Sequence, residues 1–395
     1  MQKAGMALRV ESMKKSSLKR ILCGGFVCAL IFSGMTGCGK KPVSSVSSAE
    51  DVTSVSAVSE TAASESTEEP VQAESAPAEA QPPEGTYFSE LTGEPVSTDL
   101  QEQRPVAVMV DNEKIAYQHY GIAEGDVVYE LMNSTKNGRI TRLMVLVKDW
   151  EKIQQMGSIR SVRPTNIILA SEWNAVLCHD GGPRYVDEYF TKDYGKEHFS
   201  GTFSRVKNGK PREFTEYVCA GDLDKNFQST GYSKTYNQFR PERDSHFRFV
   251  EYNTENDLSG TPDAVTANTV ALPFSHTGST LTYNAGTGTY DLSCYGSVHT
   301  DAEDGQAATF KNVLLQCCSF SEYDDAGYMI YNVVQQNQPG YYITDGRAVP
   351  ITWSKDSETG ITKYYDQSGN EIAVNRGKTY ISLVPEDSWG SLSIS

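Results

Sequence analysis

Pro105-Val106-Ala107-Val108-Met109-Val110 is the stretch on which the fold turns. An unbroken apolar run opened by a proline reads as a strand covered on both faces. Working outward, Asp126-Val127-Val128-Tyr129-Glu130-Leu131 and the run Ile140 to Val147 read as two further strands. Pro164 stands where the first turn of a helix tolerates proline, which predicts a helix through Trp173. Ala175 to His179 reads as a fourth strand ending in Asp180-Gly181-Gly182, and Pro183 opens a second helix toward Phe190. Strands interleaved with helices predict a layered α/β domain over 104–252, with irregular polar stretches near 192–213 and 228–247.

Farther along, 253–268 is polar, holds Gly260 and Pro262, and reads as an interdomain linker. Strand-like runs follow at 269–274, 281–284, 289–295, 309–320, 328–334, 340–344, 347–354, 362–366 and 378–384. Asp345-Gly346 between two of them signals a tight hairpin. The second domain, 269–386, is therefore expected to be mostly antiparallel β. Its Tyr341, Tyr342, Trp353, Tyr364 and Tyr365 suit a glycan platform, but alternation makes core packing the better reading.

The whole chain has 395 residues, too many for one ordinary core. Its net charge of -16 argues against nucleic acid, whose backbone demands clustered Lys and Arg. The charge is also unevenly placed. Residues 1–41 carry eight basic and one acidic side chain, and residues 42–103 carry thirteen acidic and none basic.

Lys14, Lys15, Lys19 and Arg20 precede a short apolar run from Ile21 to Phe32, the pattern of a secretory signal over 1–37. Met13 as start would give a more typical signal length. From 38 to 103 the chain is Ser, Ala, Glu, Val, Thr and Pro without period, which predicts an unfolded acidic tether. Some 65 such residues span about 45 Å, and self-repulsion extends them. A tether of that reach suits a thick wall, so a Gram-positive host is expected. Cys178, Cys219, Cys294, Cys317 and Cys318 are odd in number and cannot all pair.

Two resemblances add to this reading. Met35-Thr36-Gly37-Cys38 resembles the lipobox of bacterial lipoproteins, which implies that Cys38 is diacylated and anchors the mature chain to the outer face of the cell membrane. The folded part, roughly 104–386, resembles the YerB-like lipoproteins, a bacterial family of unknown function. The matching positions include Asn112, Gln118 and Gly121, then Asp126, Tyr129 and Glu130, and Ile140-Thr141-Arg142 with Gly157. Arg160-Ser161 with Arg163-Pro164, then His179 with Gly181-Gly182, form the most specific element. Toward the end, the turn from Tyr365-Asp366 to Gly369, then Gly377-Lys378-Thr379 and Pro385, also fit. Two departures stand out. Asn133 to Arg139 is longer and more basic than the family's acidic turn, and Pro211-Arg212-Glu213 stands where the family has Pro-His-Asn.

The candidate ligand-facing residues are Glu130, Arg142, Arg160, Ser161, Arg163, His179, Gly181 and Gly182. Arginine forks beside helix N–H groups suit a carboxylate or phosphate, although they could instead pair with Glu130, Asp126 or Asp187 and hold a loop. Ser161 suits a helix cap as well as a ligand contact. His179 ends a strand, where ligands of open sheets gather, or simply bonds to backbone. No nucleophile elbow, phosphate loop or metal motif occurs, and neither a cofactor nor a metal is expected. The sequence thus points to a lipid-anchored binding or scaffold protein for an anionic envelope component, with the Arg160, Arg163 and His179 region as its ligand-facing surface; convergence of these three with Glu130 on one cleft would test it. The alternative is an envelope hydrolase or transferase using Glu130 and His179.

Overall fold

The structure, a computed structural model, describes residues 81–240 and 246–395. The expected signal, the lipidation site Cys38 and most of the expected tether lie outside the described residues.

Strands open the described chain as β1 (Thr86–Phe88), β2 (Pro95–Ser97), β3 (Val106–Asp111), β4 (Val127–Met132), β5 (Thr141–Val147) and β6 (Gln155–Gly157). Helix α1 (Pro164–Glu172), β7 (Val176–His179) and α2 (Val186–Phe190) follow. Then come β8 (His198–Ser200), β9 (Ser204–Arg205), β10 (Glu216–Cys219) and α3 (Asp222–Thr230). The second half holds β11 (Val265–Thr266), β12 (Thr269–Ala271), β13 (Thr280–Asn284), β14 (Thr289–Cys294), β15 (Ser297–Val298) and β16 (Thr309–Phe310). It continues with β17 (Asn312–Cys318), β18 (Phe320–Glu322), β19 (Met329–Tyr331), β20 (Gln338–Thr344) and β21 (Arg347–Ser354). It closes with β22 (Lys363–Tyr365), β23 (Thr379–Pro385) and β24 (Ser393–Ile394).

Eleven strands form one central sheet in the order β11-β21-β20-β17-β23-β4-β5-β3-β7-β8, with β22 beside β21. Strands β3, β4, β7, β8, β17 and β23 all run one way, through the parallel pairs β3–β7, β7–β8, β17–β23 and β23–β4. Both faces are covered, which is why the strands read as continuous apolar runs. Val106, Val108, Val110, Val128, Leu143 and Val145 line one face and share a core with Met156 of β6 and Phe227 of α3, and with Leu281, Tyr290 and Phe310 of the sheet built from β12 to β16 and β24. Ala107, Met109, Tyr129, Leu131, Met144 and Leu177 face α1 and the β18–β19 hairpin, against Ile167, Leu169, Trp173 and Tyr331. Period-two alternation thus assigns each side chain to one layer. At the β20–β21 turn Asp345 (φ 46°) and Gly346 (φ 72°) both take the left-handed conformation, as the two-residue hairpin requires.

Three expectations need correction. The amino-terminal half is dominated by strands and is not clearly a layered α/β domain. Among the described residues there, only α1, α2 and α3 are α-helical, and α2 has five residues. Strands β8 and β9 occupy a stretch expected to be irregular, because two or three residues are too few to show a period. Next, the tether does not extend to 103. Residues Thr86–Ser97 make a hairpin, Leu91 is fully buried, and Lys148 holds Glu90 at 2.6 Å. One leucine among acidic and small residues was too little signal against the composition. Last, the segment 253–268 is not a free linker: Leu258 is buried and β11 pairs with β21 on the sheet edge. An edge strand with both residues exposed carries no apolar pattern.

Candidate functional site: arginines at the carboxyl edge of the sheet

The carboxyl ends of the co-directed strands lie on one edge, with Asp111, Met132 and His179 at the ends of β3, β4 and β7. Arg142 stands at the start of antiparallel β5, directly opposite Asp111. The chain then returns to this edge at Arg160, whose N–H donates to the Met109 carbonyl, and enters α1 behind Arg163.

Arg160 pairs with carboxylates. Its Nε lies 2.6 Å from Asp111 Oδ2 and its Nη1 2.8 Å from Glu213 Oε2, while the guanidinium sits over the Phe214 ring at 5.1 Å. Asp111 is fully buried. The expected partners Glu130, Asp126 and Asp187 are not the ones it finds.

Arg142 and Arg163 differ. Arg142 is 5% exposed, and its Nη1 donates to Asn133 Oδ1 at 3.1 Å and to the Ser161 carbonyl at 2.6 Å. Its Nε is buried without a hydrogen-bond partner. Arg163 is 6% exposed, donates to the carbonyls of Asn133 and Val162 at 3.2 and 2.9 Å, and lies under the Tyr328 ring at 4.6 Å. Neither forms an ion pair with a described carboxylate. Burial pushes Arg142 down to about 10. Burial first, and then the charge of Arg142, pushes Arg163 down to about 9. Two desolvated cations beside each other are costly unless an anion compensates them. Arg163 also begins α1, its N–H donating to Asn166 Oδ1 at 2.9 Å, so Asn166 and not Ser161 serves as the cap.

Ser161 is half-buried and Gly181 and Gly182 are exposed beside it. Val162 N–H donates to the Gly181 carbonyl at 3.1 Å, which stitches the arginine segment to the turn after β7. A Cβ at Gly181 (φ 71°) would meet only Ser161 Oγ, at 3.9 Å, so the surface there is open.

Glu130 and His179 do not join this cluster. Glu130 shares its sheet face with Val128, toward β13 and β14, whereas Arg142 and His179 fall on the opposite face. Fully buried, Glu130 accepts from Asn112 Nδ2 at 3.0 Å, Thr141 Oγ1 at 2.7 Å and Ser279 Oγ at 2.8 Å, and also from the Tyr380 hydroxyl. Burial raises its pKa against those hydrogen bonds. This is a polar node that ties two sheets together. His179 Nδ1 is 2.9 Å from the Gly181 carbonyl and its Nε2 2.9 Å from His198 Nδ1, with Phe190 stacked alongside. Burial pushes it down to about 4, so it is neutral at neutral pH. Of Glu130, Arg160, Arg163 and His179, only the arginines lie together, and the acid–base pair named for a hydrolase or transferase is split between two faces. A cavity of about 330 Å³ lined by Arg248, Tyr342, Ile351 and Glu371 includes none of the candidate ligand-facing residues.

Sequence reasoning missed Asp111, Asn133 and Tyr328. A charged residue closing the buried β3 run was a usable signal for Asp111. Asn133 lies in the departing loop and Tyr328 comes from the other half of the chain, where no local pattern points to an arginine.

The fold is that of a family of proteins of unknown function. Models of the amino- and carboxyl-terminal domains of the family described as "Protein of unknown function (DUF3048)" match residues 91–233 and 270–381. The chain is 24% identical over 317 residues to "Putative lipoprotein YerB" of Bacillus subtilis (strain 168), covering 77% of this chain and 88% of the relative. The crystal structure of YerB from Bacillus subtilis superposes with a TM-score of 0.65 at 20% identity, covering 78% of this chain and 99% of that one. The chain belongs to the YerB-like family.

Proposed function

We propose that this chain is a lipid-anchored protein of the outer membrane face that binds an anionic component of the cell envelope at Arg142, Arg160 and Arg163. The observation that carries the reading is the pair of buried guanidiniums, Arg142 and Arg163, held by carbonyl oxygens and not by carboxylates. Asp111 and Glu113 act on Arg142, whereas no carboxylate acts on Arg163; a bound carboxylate or phosphate supplies the charge Arg163 lacks, and arginine forks suit either anion. Arg160 is already neutralised by Asp111 and Glu213 and acts as the support of the site. Anchoring is supported by the Met35 to Cys38 motif and by the lipoprotein name of the Bacillus relative.

Fractionation of cells carrying the full-length chain tests both parts. Cys38→Ser is expected to move the protein out of the membrane fraction or leave it unprocessed. Arg142→Gln combined with Arg163→Gln is expected to keep membrane attachment but lose salt-sensitive retention on purified cell walls. Retention of the double variant at wild-type level would remove the arginine site.

A further inference from the structure

The arginine edge does not end at Arg163. The ring of Tyr328 covers that guanidinium. Tyr323 N–H donates to the Tyr328 carbonyl at 2.7 Å across the turn of the β18–β19 hairpin. Tyr323 in turn stacks on Tyr185 with ring centroids 4.3 Å apart and planes within 8°. Tyr185 follows the exposed Gly181–Gly182 turn by three residues. Its hydroxyl donates to Asp324 Oδ2 at 2.7 Å, and the exposed Arg184 lies 5.5 Å over its ring. Both tyrosines are half-buried, so the pair presents an outer aromatic surface. The hairpin is held to the arginine segment, since Tyr331 N–H donates to Thr165 Oγ1 at 2.9 Å in the first turn of α1. The two halves of the chain therefore meet here: nearly buried cations from the first lie beneath Tyr328, next to an aromatic face with a carboxylate at its rim built from both.

We propose that this surface takes a sugar bearing a phosphate, with the phosphate at Arg142 and Arg163 and the sugar ring against the Tyr185–Tyr323 pair. The inference rests on the anion-site reading above and names its ligand class. The parts suit that class. Arginines give a charge-assisted seat for the phosphate oxygens. A tyrosine face covers the apolar C–H side of a pyranose. Asp324 accepts hydroxyl protons, of which a sugar offers several and a nucleobase few, and it repels a second phosphate.

Calorimetric titration of the full-length chain in detergent tests the assignment with three probes: inorganic phosphate, glucose 1-phosphate and glucose. Glucose 1-phosphate is expected to bind about tenfold tighter than inorganic phosphate, a difference of the size one added contact surface supplies. Glucose alone is expected to show no heat. Tyr323→Ala should bring glucose 1-phosphate down to the level of inorganic phosphate and leave phosphate itself unchanged, while Tyr323→Phe keeps the difference. Arg163→Gln should weaken both anions. If Tyr323→Ala fails to fold, Tyr185→Ala gives the same readout. Equal binding of the two anions with both tyrosine variants silent would overturn the sugar wall and leave the anion site standing. Tighter binding of adenosine monophosphate than of glucose 1-phosphate would overturn the sugar assignment. No binding of any anion would overturn this inference and the site reading together.

Discussion

Two arginines three residues apart do different work because their partners differ. Arg160→Ala removes the ion-pair partner of the fully buried Asp111 and leaves it only Arg142 across the strand. Stranding a buried carboxylate costs about 3–5 kcal/mol, and the lower end applies because the Arg160 side chain keeps 17% of its surface in solvent. Arg163→Gln removes a desolvated cation, leaves a donor for the carbonyls of Asn133 or Val162, and should change stability by no more than about 1 kcal/mol. Chemical denaturation of both variants checks the contrast, and equal losses would mean that Arg163 is architecture as well. The sequence made both arginines and the helix start at Pro164 legible, because proline and a guanidinium pair are local signals. Their division of labour was not legible: Asp111 lies 49 positions before Arg160, and Asn133 lies 30 before Arg163. The same limit misplaced Glu130. Its face of β4 follows from register, and its donors Ser279 and Tyr380 lie more than a hundred residues away in the chain.

Among the elements, the hairpin β1–β2 shows how composition can hide structure. Its residues belong to an acidic stretch that reads as tether, yet it closes one end of the fold. Glu90 meets Lys148, whose side chain is 3% exposed, and Tyr236 donates to the same carboxylate. The Lys148 partner holds the Glu90 pKa below the usual carboxylate range, although burial is the largest single influence and opposes it. A chain beginning at Glu102 would lose Glu90 and Leu91 together and leave a buried ammonium without its carboxylate. That truncation is expected to cost at least about 3 kcal/mol, and Leu91→Ala alone about 2–5 kcal/mol for a fully buried leucine. Melting temperatures of the two variants against the full-length chain measure it, and an unchanged midpoint for both would return the hairpin to the tether. Strands of the second half were far more legible, because β17, β20, β21 and β23 run for seven or eight residues with alternating or continuous apolar sets. Strands of two or three residues, such as β9, β11 and β15, carry too few side chains for any period to emerge.

At the scale of the molecule, the two family-matched segments meet inside a sheet. Val127–Leu131 of β4 pairs in register with Thr379–Leu383 of β23, so cutting the chain between the segments exposes an unpaired edge on each. The described residues accordingly form one compact unit. A second seam joins the halves through histidines. His119 Nδ1 lies 3.0 Å from His299 Nε2, with both rings fully buried and with Asp111, Asp301 and Lys210 as the charged groups acting on His119. Burial pushes His119 from 6.5 down to about 4, and burial together with His119 holds His299 well below the ordinary histidine value. Both are neutral when folded, so the unfolded chain takes up protons first as pH falls. Their contribution is complete above pH 6.5 and is lost as pH falls from 6.5 toward 4, by up to about 1.4 kcal/mol per pH unit for each group. Asp126, raised to about 6, and Glu124 and Glu216, raised to about 7, act in the opposite sense over the same window. The histidine part is therefore read as a difference: His119→Leu with His299→Leu should show a shallower loss of stability below pH 6.5 than the wild type. Calorimetry of the full-length chain should give one transition at every pH in this window, with van't Hoff and calorimetric enthalpies equal. Two separated transitions would show that the halves melt independently and that neither the shared sheet nor the histidine seam couples them.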